Sequence, residues 1–112
     1  MVADQQLPNR HLNGITLEIL RGLFKAITEE MGINLIRSAY SHSIKERKDI
    51  ATAFFDAKGN LVSQAEHIPI MLTGLNPLAK YSASAQLQEG DVLIANDPWI
   101  AGGSHLPDIA LC

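Results

Sequence analysis

The stretch "ATAFFDAKGNLVSQA", residues 51–65, decides the fold. Two strand-like runs, 50–55 and 61–65, flank the polar insert "DAKGN" at 56–60. Gly59-Asn60 supplies the positive φ of a tight turn, so the pattern predicts an antiparallel hairpin. Upstream the periodicity is different. From Thr16 to about Tyr40, Leu20, Leu23/Phe24, Ile27, Met31 and Leu35 recur at helical spacing, with Arg21, Lys25, Glu29 and Glu30 elsewhere on the wheel. Thr16 is the expected N-cap, Glu18 sits where the helix dipole favours an anion, and Gly32 is where the helix would bend. Downstream, Pro69 and Pro77 bound a mixed segment with a short helix expected from Pro77 to Leu87. A turn at Gly90 and a four-residue buried strand, Val92 to Ala95, precede the tail. Residues 1–14 hold Pro8 and Gly14 before any periodic pattern and are expected to be a surface lead-in. The fold class is α+β: a long N-terminal helix packed on a small, mostly antiparallel sheet.

Composition narrows the function classes. The 112 residues are 46% hydrophobic and 19% charged, a globular profile able to bury roughly two-thirds of the unfolded surface. Net charge is −3 and the longest basic cluster is the short "KERK" of 45–48, so a nucleic-acid footprint is not expected. The single cysteine, Cys112, has no internal partner, and nothing points to an oxidising compartment. No apolar run reaches bilayer length, and the polar start "MVADQQLPNRHLNG" is not a secretory signal. A cytoplasmic protein without a membrane or nucleic-acid partner is the expectation.

Four stretches could carry chemistry. In "GGSHLPD", His105 and Asp108 are two residues apart, and Leu106-Pro107 favours an extended or turn backbone. A turn centred on Pro107 would put both side chains on one side, where imidazole plus carboxylate suits zinc, manganese or iron. By itself the H-x-x-D spacing is unspecific, and a plain structural turn is the ordinary use of such residues. In "NDPW", Asp97 ends an apolar run and could face a site, or Asp97-Pro98 could simply begin a turn. Trp99 is expected in the core or at its rim. In "KERKD", the charges are expected on a solvated face, with Asp49 at the edge of a strand and able to turn inward. In "QAEHIPI", His67 follows the hairpin, where a histidine is more often structural and hydrogen-bonded than a ligand. His67 and Asp97 stand as the candidate catalytic side chains.

Taken together, "TLEILRGLFKAITEEMG", "SIKERKDIATAFFDAKGNLVSQAEHIP" and "GDVLIANDPWIAGGSHLPDI" resemble the hydantoinase B/5-oxoprolinase family, which includes acetone-carboxylase-type subunits. The resemblance covers nearly all of the chain after residue 14, and three motif blocks in the right order are far more specific than any one. It implies a divalent metal site with Asp49, His105 and Asp108 as ligands and a further histidine beyond residue 112. Because family members are several times longer, 15–112 is expected to be the N-terminal part of a larger domain. The sequence departs from the family in carrying Met71 where a second histidine is common, and "MLTGLNPL" replaces the more usual wording.

The resemblance also implies a mechanism. A hydantoinase A-type partner subunit uses ATP to phosphorylate an amide or carbonyl oxygen, and the B-type subunit completes hydrolysis with a metal-activated water. No G-x-x-x-x-G-K-[ST] phosphate loop occurs here, consistent with ATP being held by the partner. The expected activity is ATP-dependent ring opening of a small cyclic amide such as 5-oxoproline, a hydantoin or a lactam. Ketone carboxylation and a non-catalytic assembly role are the alternatives.

Overall fold

The computed structural model describes residues 13–68, 74–102, 105 and 108–112. The lead-in up to residue 12, Pro69, Met71 and Pro107 lie outside the described residues. Helix α1 spans Gly14–Ser38 and runs unbroken through Gly32. It is followed by the single turn α2, His42–Lys45, and by the hairpin strands β1, Ala51–Phe55, and β2, Leu61–Glu66. Helix α3, Leu75–Ser84, leads to β3, Ile94–Ala95, the short α4, Pro98–Ala101, and β4, Ala110–Leu111. Among the described residues the strands form two separate two-stranded antiparallel sheets, β1-β2 and β3-β4. The α+β class holds, with the long N-terminal helix lying across the hairpin.

The start of α1 is set by Asn13 and not by Thr16. The Asn13 side chain accepts a hydrogen bond from the Thr16 amide at 2.7 Å, the usual way of satisfying a free N–H of the first turn. Glu18 therefore falls beyond the first turn and lies 3.8 Å from Arg21 on the exposed surface. Six residues of α1 are buried or half-buried: Thr16, Leu20, Phe24, Thr28, Gly32 and Ile36. They form one unbroken i, i+4 row, and this row is what the hairpin covers. The expected core positions Ile27, Met31 and Leu35 lie outside it and are exposed.

Hydroxyl groups stitch helix to hairpin. Thr28 is fully buried; its Oγ1 donates to the carbonyls of Lys25 (2.9 Å) or Phe24 (3.2 Å) and lies 3.2 Å from Ser63 Oγ of β2. Thr52 of β1 donates to the Thr28 carbonyl at 2.7 Å. Each strand is thus tied to the same turn of α1, and both buried threonine hydroxyls have partners, which removes the cost of burying them. One turn toward the N-terminus, the Phe24 and Phe54 rings stack with centroids 5.2 Å apart.

The hairpin closes as "DAKGN" predicts. Asp56 organises it: its Oδ1 accepts from the amides of Lys58 and Asn60, both at 2.8 Å, and its Oδ2 from the Asn60 side chain. The hydrogen bonds from Asn60, then that from Lys58, with the nearby Lys80 charge, hold the Asp56 carboxyl below its ordinary value. The positive φ belongs to Gly59 (71°), not to Asn60. Gly59 is buried, and a Cβ there would stand 2.6 Å from the carbonyl oxygen of Ala79, so α3 lies directly on this turn. Lys80 adds a 2.6 Å hydrogen bond to Asn60 Oδ1.

Helix α3 begins two residues before Pro77, which sits in the first turn where its missing N–H costs nothing. It ends at Ser84, short of Leu87. The strand expected over 92–95 is reduced to Ile94–Ala95, and Val92 and Ile94 are exposed where a buried strand was expected. Its only sheet partner among the described residues is β4, paired Ile94 with Leu111 and Ala95 with Ala110 and extended by reciprocal bonds between Leu93 and Cys112. A two-stranded ribbon can bury little of either face.

Candidate functional site

The candidate residues fall into two groups, at different places in the fold. Asp49 and His67 flank the open end of the hairpin, because Ala51 pairs with Glu66 across the ladder. Asp97, His105 and Asp108 belong to the tail.

Asp49 is positioned by backbone geometry. Lys48 adopts a left-handed φ of 54°, uncommon for a residue other than glycine. The Asp49 amide bonds the Ser43 carbonyl at 3.1 Å, and the Ile50 amide bonds the Lys48 carbonyl at 2.8 Å. This sharp turn ends the exposed charge run Glu46–Lys48 and delivers a half-buried Asp49 and a buried Ile50 into β1. Asp49 thus leaves the solvated charge run and is half-buried at the start of β1.

His67 departs from the expectation of a hydrogen-bonded structural histidine. Its Nε2 is buried and has no hydrogen-bond partner among the described residues. The ring lies against α1 at Gly32, where a Cβ would stand 2.7 Å from Nε2. Gly32 is thus the seat of His67, a role the sequence hinted at only through a glycine inside a strongly periodic helix. A small recess beside it is lined by Lys25, Glu29, Ile33, Gln64, Ala65 and His67.

In the tail, the Asp97 carboxylate caps α4, accepting from the amides of Trp99 (2.8 Å) and Ile100 (3.2 Å), with Pro98 at the first helical position. Of the two uses left open for Asp97, the local turn is the one found. Trp99 is 92% exposed, not a core or rim residue. His105 and Asp108 do come together: the Asp108 amide bonds the His105 carbonyl at 2.9 Å, the i to i+3 bond of a turn. Their side chains, Nδ1 and Oδ1, are 3.7 Å apart, within ion-pair range but longer than a hydrogen bond.

Asp49 does not join that pair. Among the described residues, no three His, Cys, Asp or Glu side chains gather where they could hold one metal ion. The reason is where the tail docks. Gly102 (φ 71°) presses on α3 so closely that a Cβ would stand 2.5 Å from Pro77 Cγ, and α3 itself sits on the Gly59 turn. Gly102 is therefore anchored beside α3, which lies on the closed end of the hairpin, whereas Asp49 precedes β1 at the open end. The strand between spans roughly 17 Å at ~3.4 Å per residue. The donor chemistry of His105 and Asp108 suits a divalent ion, but of the three ligands the resemblance implies within this chain only these two come together.

Comparison with known proteins identifies what this arrangement is similar to. Residues 13–112 match the family model described as hydantoinase B/oxoprolinase. The chain is 38% identical over 113 residues to 5-oxoprolinase PfmaA of Pestalotiopsis fici, covering 98% of this chain and 9% of that protein. It is 41% identical over 103 residues to the 5-oxoprolinase of Saccharomyces cerevisiae, covering 89% of this chain and 8% of that protein. The B-type subunit of a putative D-/L-hydantoinase from a Pseudomonas species is 28% identical over 111 residues, covering 92% and 18% respectively. The chain thus spans less than a fifth of the length of each of these relatives. No solved structure matches it. The match through all but the first twelve residues settles the classification: the chain belongs to the hydantoinase B/oxoprolinase family.

Proposed function

We propose that this chain forms part of an ATP-dependent hydrolase that opens a small cyclic amide, such as 5-oxoproline, a hydantoin or a lactam. The supporting observation is the family match over 13–112, together with relatives named as 5-oxoprolinases and as the B-type subunit of a hydantoinase. An amide is a poor electrophile, and phosphorylating its oxygen creates a leaving group. On this reading that step belongs to a hydantoinase A-type partner.

The residues of this chain would serve the hydrolytic half. His105 is exposed and its imidazole Nδ1 lies 3.7 Å from the Asp108 carboxylate, which would orient the ring. His105 and Asp108 are also the side chains that would hold a divalent ion, zinc, manganese or iron, which supplies a water acidic enough to ionise near neutral pH. Asp49 would complete the set only if brought to them, so no step is assigned to it. No helix is long and apolar enough to cross a membrane among the described residues.

The test is substrate-dependent phosphate release and ring opening by the complete B-type protein with its ATP-binding partner. The 112-residue chain alone is expected to be inactive. His105→Ala should abolish ring opening, because it removes a side chain that would hold the ion. The fold should survive, because the His105 side chain is 73% exposed. Full activity in the mutant would overturn the assignment. Turnover that requires bicarbonate would identify ketone carboxylation instead, and no turnover with any substrate would favour an assembly role.

A further inference from the structure

Helix α1 carries two apolar rows, and the hairpin covers only one. Beside the covered row runs a second, Ile19, Leu23, Ile27, Met31 and Leu35, also at strict i, i+4 spacing. All five are large and aliphatic, and they are 39–58% exposed. The charged face lies elsewhere: Glu18 pairs with Arg21 and Lys25 with Glu29, each pair 3.8 Å apart along the helix. A helix that is apolar on more than its packed stripe is normally buried on both. A continuous row of this length also exceeds the scattered single exposures that need no explanation.

The row continues into a larger opening. Met31 and Leu35 form one wall of an apolar groove of about 880 Å³, whose other walls are Phe55 of β1, Leu75 and Leu78 of α3, and Leu111 of the tail. Ridge and groove together describe one uncovered surface on the side of α1 away from the charges.

From these observations we infer that the Ile19–Leu35 ridge is an internal packing surface of the longer family fold. Its occupant is an apolar surface contributed by the part of the longer family proteins that lies outside the segment matched by this chain. The inference rests on family membership and not on the proposed reaction. More than four-fifths of each relative lies outside the segment this chain matches, so such polypeptide is present in the family.

Cysteine accessibility tests this. In a Cys112→Ser background, Ile27→Cys reports on the ridge and Arg21→Cys on the charged face. In the free 112-residue chain both thiols should react with a small alkylating reagent at similar rates. In a chimera carrying this chain in place of the aligned segment of the S. cerevisiae 5-oxoprolinase, peptide-resolved labelling should show the thiol at 27 slowed by roughly tenfold or more, with the thiol at 21 unchanged. Should the chimera not fold, the same two cysteines at the aligned positions of the unaltered yeast protein give the same contrast. Equal labelling at both sites in the folded long protein would overturn the inference. Protection at 27 that appears in the free chain and rises with its concentration would also overturn it, by identifying a second copy as the occupant.

Discussion

Gly32→Ala is the most informative single substitution, because two effects of similar size oppose each other at that position. In an unobstructed helix interior, glycine to alanine stabilises by about 1 kcal/mol. Here the new methyl would stand 2.7 Å from His67 Nε2 and 3.6 Å from both His67 Cδ2 and Thr52 Oγ1. The first distance is well inside van der Waals contact, so the imidazole must move. Nε2 is buried and Thr52 is fixed by its 2.7 Å bond to the Thr28 carbonyl, so movement disturbs the helix–hairpin seam. Overpacking of this kind costs about 1–3 kcal/mol. The expected outcome is a destabilisation of about 0–2 kcal/mol, and a Tm lower by up to roughly 8–15 °C for a domain of this size. The sign should reverse in a His67→Ala background, where the obstruction is gone and Gly32→Ala should stabilise by about 1 kcal/mol. Denaturant unfolding of the four proteins measures the coupling. If Gly32→Ala is equally stabilising with and without His67, the imidazole swings aside freely and the packing argument is wrong.

Two further substitutions probe the closed end of the hairpin. Gly59→Ala meets both a φ of 71° and a backbone carbonyl only 2.6 Å from the new Cβ, so it should destabilise by more than the ~1–2 kcal/mol of the left-handed conformation alone, read as a Tm loss. Asp56, whose folded pKa lies below its ordinary value of 3.8, contributes stability that is present above that value and lost as pH falls through the lower folded one. An acid titration of Tm should show this loss, and Asp56→Asn should flatten that part of the profile.

The existence of α1 and of the hairpin was legible in the sequence, because the period changes from helical to strand-like after Ser41 and "DAKGN" is a self-contained turn. What could not be read was which face of α1 packs. Two i, i+4 rows are both largely apolar, and hydropathy favours the one richer in aliphatic residues. The hairpin instead covers the row containing Thr28 and Gly32. Its selection depends on partners more than twenty residues away: Thr52 and Ser63 satisfy the Thr28 groups, and Gly32 makes room for His67. Polar satisfaction and close approach outweighed aliphatic content, and neither is visible in a helical wheel.

The same distinction governs the site. Asp49 and His67 are placed by the hairpin register, which is local and was readable; the pairing of His105 with Asp108 is local too. The distance between the two groups is set by how the tail docks, through Gly102 on Pro77 and α3 on Gly59. Among the described residues Asp49 stands apart from His105 and Asp108, so on the proposed reading any further ligand for that pair would have to come from elsewhere in the longer family fold.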